Sequence, residues 1–265
     1  MSKVGACLAV LLALAVGAAP RALGADVTDI GYLDQQALAT IPRYAAANRE
    51  LMTYKANLDR QFAQQIRTAR TASDQARIVQ YFQNRFAERQ RALFGPLLAR
   101  AQVAVAQVAA SKGLSVVLDK RIVIVGGQDI TKDVIDLLSG VADPVPPVNT
   151  PPPSRVGWID QTQIDALPKI KAAEDAFARF QADQERIAQD KMKGAKTDAD
   201  RSKIMADYQN AIDAEQKKDL QPIIDHTRSV VADIAKKKNL ILVVDRSNII
   251  YGGTDITNDV KAALQ

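Results

Sequence analysis

Asp255-Ile256-Thr257-Asn258-Asp259-Val260 stands near the end of the chain, and Asp129-Ile130-Thr131-Lys132-Asp133-Val134 stands 126 residues before it. The same offset, without a gap, carries Val117-Leu118-Asp119 onto Val243-Val244-Asp245 and Gly126-Gly127 onto Gly252-Gly253. It carries Pro42 onto Pro168, Pro96 onto Pro222, and Gly31-Tyr32-Leu33-Asp34 onto Gly157-Trp158-Ile159-Asp160. One register held over more than 100 residues is a duplication. It keeps glycine where the backbone needs it and proline where helices begin.

Each copy reads alike. A short strand opens it, Ile30 to Leu33 and Val156 to Ile159. A helix follows from Pro42 or Pro168, since proline fits a first turn. Leu51, Tyr54, Leu58, Phe62 and Ile66 recur every three or four positions, the stripe of an amphipathic helix. The pattern breaks at Thr68 to Asp74, and at Gly194 to Asp198 in copy two. A second stripe returns through Ile78, Phe82, Phe86 and Leu93, and through Ile204, Tyr208 and Ile212. These are the two arms of a long antiparallel helical hairpin. The 25 residues from Arg43 to Arg67 make an arm about 38 Å long.

Pro96 and Pro222 predict a kink or restart in the returning helix. The more apolar stretch beyond each should pack on a body. Leu240-Ile241-Leu242-Val243-Val244 is an unbroken β-prone run, the mark of a strand buried on both faces. A turn at Asp245 to Asn248 and a return strand Ile249-Ile250-Tyr251 follow. Copy one has Leu114 to Leu118, a turn at Asp119 to Arg121, and Ile122 to Val125. Asp129 or Thr131, and Asp255 or Thr257, can cap a short terminal helix. The expected fold is therefore α+β and mostly helical: two tandem units, each a long helical hairpin on a small β-sheet body. Three short strands and a helix make no secure core alone, so the two copies, or several chains, must pool their strands. The residues expected in that shared core are Val117, Leu118, Ile241, Val243 and Ile250.

The remaining sequence sets the frame. Lys3, the apolar run Val4 to Ala19, and the small residues Ala22, Gly24 and Ala25 read as a secretory signal over residues 1–25. Cys7, the single cysteine, lies inside it, so the mature chain holds no thiolate ligand or nucleophile. The units are expected at 26–140 and 154–265. Between them, residues 141–153 form a linker, with six prolines in the eleven residues from Asp143 to Pro153. Such a stretch acts as a semi-rigid extended spacer. Net charge falls from +5 to +3 once Lys3 and Arg21 leave with the leader, too little to argue for nucleic acid.

No catalytic constellation emerges. His226 is the single histidine and reads as a solvated helix residue beside Asp225 and Arg228. One histidine and no mature cysteine leave no transition-metal cluster, and no cofactor is expected. The pairs Asp129/Asp133 and Asp255/Asp259 read as helix capping and dipole placement, not as cation ligands. Gly126-Gly127 and Gly252-Gly253 lack the Lys-Ser/Thr of a phosphate loop. The charge that does stand out is on the first arm. From Arg43 to Arg91 there are ten Arg or Lys against four Asp or Glu, whereas copy two from Ser154 onward has 18 of each sign. Arg60, Arg67, Arg70, Arg77 and Arg85 are thus the candidate binding residues, a basic surface suited to acidic unfolded chains or anionic lipid headgroups.

The strongest pattern is Val243-Val244-Asp245, Tyr251 and Asp255-Ile256-Thr257-Asn258-Asp259-Val260, with the aromatic-bearing opening strand and the long hairpin. With the leader, it resembles the Skp-like, or OmpH-like, periplasmic chaperones, and the resemblance spans both copies. It implies a small oligomeric β-body carrying helical tentacles around a cavity. It also implies ATP-independent holding of unfolded outer-membrane β-barrel proteins in the periplasm, without enzymatic activity. Family members typically carry one copy, so a simple trimer of single units does not follow for this chain. It is expected to form a homo-oligomer or to pair its two units internally. A scaffolding coiled-coil protein of the envelope with one fixed partner is the alternative.

Overall fold

The structure is a computed structural model that describes residues 28–265 and, ahead of them, the backbone of Leu14–Ala15, a two-residue strand β1. The rest of the expected leader, Cys7 included, lies outside the described residues. The chain forms two compact units. The N-terminal unit runs to Ser154 and takes in Asn248–Gly252. The C-terminal unit contains β1, Arg155–Ser247 and Gly253–Gln265.

In the N-terminal unit, strand β2 (Ile30–Leu33) leads through a 3-10 turn, Gln35–Thr40, into helix α1 (Pro42–Ile66). The Asp34 carboxylate accepts from the N–H groups of Gln36 and Ala37, which fixes the turn. Pro42 sits in the first turn of α1, where no donor is missed. Helix α2 (Ala72–Ser111) returns. Its start is set by Thr71, whose hydroxyl accepts from Asp74 N–H at 3.0 Å. Strand β3 (Val116–Asp119), strand β4 (Gln128–Asp129) and helix α3 (Thr131–Ser139) complete the copy. The sequence beyond α3 lies against α2. Arg100 donates to Ala142 O at 3.0 Å and pairs with Asp143, and Gln107 accepts from Val145 N–H at 2.8 Å.

The C-terminal unit repeats this plan. It has β5 (Val156–Ile159), the short helix α4 (Gln161–Asp165), α5 (Pro168–Gly194), α6 (Asp198–Glu215) and α7 (Gln221–Lys237). Strand β6 (Leu242–Asp245), strand β8 (Thr254–Asp255) and helix α8 (Thr257–Leu264) follow; strand β7 (Ile249–Gly252), between β6 and β8 in the chain, belongs to the N-terminal unit. At the hairpin tip, Thr197 and Asp200 form a reciprocal capping box, the counterpart of Thr71 and Asp74.

A restart near the proline is seen in one copy only. A π-helical turn, Gln216–Leu220, separates α6 from α7, and Pro222 lies in the first turn of α7. Pro96, by contrast, is interior to an α2 that runs 40 residues without a restart. The residue before Pro96 is Gly95, which has no Cβ to meet the proline ring; Gln221, before Pro222, keeps helical backbone all the same, at φ −58° and ψ −43°.

The two sheets share one order and differ in one strand. In the C-terminal unit β5 pairs in parallel with both β6 and β8. In the N-terminal unit β2 pairs in parallel with β3 and β4 in the same way. The helical hairpin is therefore the crossover that parallel strands require. The fourth strand of the N-terminal sheet is β7. It runs antiparallel to β3, with Val116 opposite Gly252, Val117 opposite Tyr251 and Leu118 opposite Ile249. The expected hairpins are thus corrected twice. Ile249–Gly252 is a strand, but its partner is β3 of the first copy and not β6. Ile122 to Val125 is no strand; Lys120–Ile122 is a 3-10 turn, and Ile124 and Val125 are almost fully exposed.

Each body buries its own core. Val105, Val108, Leu114, Val117, Ile130, Val134 and Leu138 fill the N-terminal one, with Ile250 and Tyr251 packed on it. Ile159, Ile164, Val231, Val243, Ile256 and Val260 fill the other. Gly31 and Gly157 are dictated by this packing. A Cβ would stand 2.6 Å from Leu114 Cδ1 at one and 2.5 Å from Leu240 Cδ1 at the other. The terminal helices are tied down by the same bonds. Asp129 and Asp255 accept from Thr131 and Thr257 N–H at 2.9 and 2.8 Å. Those threonine hydroxyls accept from Asp34 and Asp160 N–H at 2.9 and 3.0 Å, stitching α3 to β2 and α8 to β5.

Candidate functional site

Beyond each body the hairpins bury little. In the first, Ala47, Leu51, Leu58 and Phe82 are the buried apolar residues between Tyr44 and Ala101. In the second, Phe177, Ile212 and Leu220 form a small cluster with Phe180, Tyr208 and Ile224 half-buried around it. Such thin seams leave apolar side chains in solvent. Met52, Val79 and Tyr81 are exposed on the first arm, and Ile187 and Met205 on the second. The base of the first arm is clamped by Tyr44, whose hydroxyl donates to Leu97 O at 2.7 Å and whose burial pushes its pKa up.

Midway along the first arm the seam opens into a groove. Leu58, Phe62, Val79, Phe82 and Phe86 supply its apolar lining, with Lys55, Asp59 and Gln83 beside them. Phe62 meets Phe82 edge-on at 5.5 Å between centroids. Lys55 and Asp59 pair at 2.7 Å, one turn apart. Nearer the body, Arg89 of α2 pairs with Glu50 of α1 and lies 5.8 Å over the Tyr54 ring. The phenylalanines belong to the stripe seen in the sequence. That they leave an open side depends on how wide the hairpin stands, which no periodicity records.

The five arginines singled out from sequence are all exposed and belong to this hairpin. Arg60 lies on α1 and donates to Asn57. Arg67 ends α1, and Arg70 lies in the tip. Arg77 pairs with Asp74, whose pKa is lowered by the Thr71 hydroxyl first and by Arg77 after it. Arg85 lies on α2 near the groove residues Phe82 and Phe86. The structure therefore gathers them on the distal half of one hairpin and commits one of them to an ion pair. Of the body residues, Val117, Leu118 and Val243 are buried, and Ile241 and Ile250 are half-buried.

The other candidates occupy structural positions. His226 is exposed on α7. Asp133 pairs with Lys112 and Asp259 with Lys238, each at 3.1 Å, which repeats one contact in both copies. Among the described residues no cluster of three metal-ligating side chains occurs. Asp119 is buried in its strand, and its carboxylate accepts from Arg121 and from the Gln35 amide. Burial alone would raise its pKa; the Arg121 guanidinium, the Arg121 N–H and Gln35 outweigh burial and hold the carboxyl below its ordinary value.

Two stretches, residues 44–138 and 160–264, match the model of one family, outer membrane protein (OmpH-like). The chain belongs to the OmpH-like family. Each match covers one helical hairpin with the strands and terminal helix beyond it, so this OmpH-like protein carries the family unit twice. OmpH-like proteins are chaperones of the periplasm and outer membrane, and that is the general class of function of this one. Neither the curated proteins nor the solved structures contain a match to the chain.

Proposed function

We propose that this OmpH-like protein is an ATP-independent holdase of the periplasm, exported by a cleaved leader, which keeps outer-membrane β-barrel proteins unfolded and soluble between its helical arms. The observation that carries the reading is the pair of thin-seamed hairpins. Each exposes isolated apolar side chains instead of burying them, and the first adds an aromatic groove beside a cluster of arginines. Contacts of this kind are individually weak. Many of them on one unfolded chain give useful binding through avidity, and none is tight enough to prevent release. Positive charge on the first arm raises the capture rate of acidic clients, an effect that salt screens. The same surface suits anionic lipid headgroups at the membrane where a client is delivered.

The test is dilution of a urea-unfolded porin into buffer with the leader-free protein, followed by light scattering. Scattering should fall to near baseline at stoichiometric protein without nucleotide, and the suppression should weaken as salt rises from about 0.05 to 0.5 M, where screening lengths shorten to a few ångströms. Undiminished aggregation at stoichiometric protein overturns the reading. Recovery of one folded stoichiometric partner in place of unfolded barrels would favour an envelope scaffold.

A further inference from the structure

We propose that the groove of the first arm is a receptor for one aromatic side chain of an extended client segment whose flanking residues are carboxylates, and that the second arm does not share this task. The inference rests on the holdase reading, because barrel strands supply such segments: they alternate polar and apolar residues and carry aromatic girdles at both membrane interfaces.

The duplication separates what a hairpin needs from what this one adds. A shift of 126 residues replaces Leu58 by Gln184, Phe62 by Ala188, Val79 by Met205, Phe82 by Tyr208 and Phe86 by Ile212. The second arm forms its hairpin with these residues and closes its seam with Phe177, Ile212 and Leu220. Phe62 and Phe86 have no aromatic counterpart there, and both stand half-buried in the groove wall. Holding two helices together does not require them.

The space sets the size of the occupant. The groove holds about 270 Å³. A dry protein cavity of roughly 150 Å³ accepts benzene, so a single phenyl, phenol or indole ring fits and a helix does not. The lining favours a ring over a branched aliphatic side chain. Phe62 and Phe82 stand at 79° to each other, and ring pairs of such geometry gain affinity beyond the area they bury.

Charge sets what flanks the ring. Residues 43–91 hold ten cations against four carboxylates, and the corresponding residues 169–217 hold ten of each. The two arms thus carry equal numbers of cations and differ in their acids alone. At the groove itself Lys55 and Asp59 neutralise each other at 2.7 Å, while Arg67, Arg70 and Arg85 stand exposed on the same hairpin. An occupant with carboxylates beside its ring meets this excess, and one with flanking lysines is repelled by it. The aromatic groove and the uncompensated charge occur together on one arm.

The test uses the leader-free full-length protein and short fluorescent peptides of alternating Ser and Thr. A central Phe flanked by Asp should bind roughly threefold to tenfold more tightly at low salt than the same peptide with a central Leu, and than the Phe peptide with Lys flanks, by fluorescence anisotropy. Phe62→Ala/Phe86→Ile installs the residues of the second arm and should abolish the preference for Phe over Leu. Val79→Trp fills the groove from an exposed position and should abolish it with the circular-dichroism melt undiminished. A benzoylphenylalanine at the central position should cross-link to residues 55–86 and not to 181–212. Equal binding of the Phe and Leu peptides, equal binding with Asp and Lys flanks, a preference that survives Val79→Trp, or equal labelling of both arms would each overturn the proposal. Porin aggregation on the same samples separates the two readings. Suppression without ring preference refutes the aromatic receptor alone, and ring preference without suppression refutes the holdase alone.

Discussion

Phe82→Ala should unfasten the first arm and leave its body intact. Phe82 is the best buried side chain of the distal hairpin, at 6% exposure, and stands edge-on to Phe62 at 5.5 Å and to Tyr81 at 5.2 Å. Removing a buried phenylalanine ring costs roughly 3–5 kcal/mol. The low end applies here, because Phe62 and Phe86 are only half-buried and can relax into the space. About 3 kcal/mol corresponds to roughly a 150-fold change in a local opening equilibrium. Hydrogen exchange read by mass spectrometry should show that loss of protection in residues 51–66 and 76–90. Protection in residues 101–118 and 130–138, which fill the body, should not change. Equal loss in the body would mean that arm and body open as one cooperative unit. A loss below about tenfold would mean that the aromatic seam does not hold the hairpin.

Three further outcomes follow from the geometry. Because hydrogen bonds hold Asp119 below its ordinary pKa, its contribution to stability is present above about pH 3.9, the unfolded value, and is lost as pH falls through the lower folded one. Thermal melts from pH 6 to 2.5 should therefore show an acid-side decline that Asp119→Asn flattens. Gly31→Ala should destabilise the N-terminal unit by about 1–3 kcal/mol through overpacking against Leu114, and Leu114→Ala in the same chain should recover part of the loss in denaturant titrations. Replacing Arg67, Arg70 and Arg85 by Gln should leave the melting temperature within about a degree, since exposed charges contribute little to stability. The same triple variant should slow porin capture several-fold at low salt and remove most of its salt dependence in stopped-flow fluorescence.

The features legible in the sequence are those set by local chemistry. The opening strands fall at Ile30–Leu33 and Val156–Ile159 as read, because β-prone residues there alternate around a glycine that the packing demands. The first arm spans Pro42–Ile66, since a first-turn proline and a run of stripe residues bound it. Which strand a strand meets is not local. Ile249-Ile250-Tyr251 announces extended backbone, but nothing in its alternation distinguishes β6 from β3 as neighbour, and the shortest connection pointed to the wrong one. Pro96 shows a similar limit: a proline reads as a place for a helix to restart, but α2 runs through it. The arginines were visible as a charge excess. The groove was not, because Phe62, Phe82 and Phe86 look like closed core until the separation of the two helices is known.

The most direct measurement is site-specific photo-cross-linking to an unfolded porin, with the photoreactive residue placed once at Val79, beside the aromatic groove, and once at Val148, fully exposed in the proline-rich stretch. Strong adducts from Val79 and only background from Val148 are the expected result. Equal labelling from both positions, or labelling from Val148 alone, would contradict the claim that the helical arms do the holding.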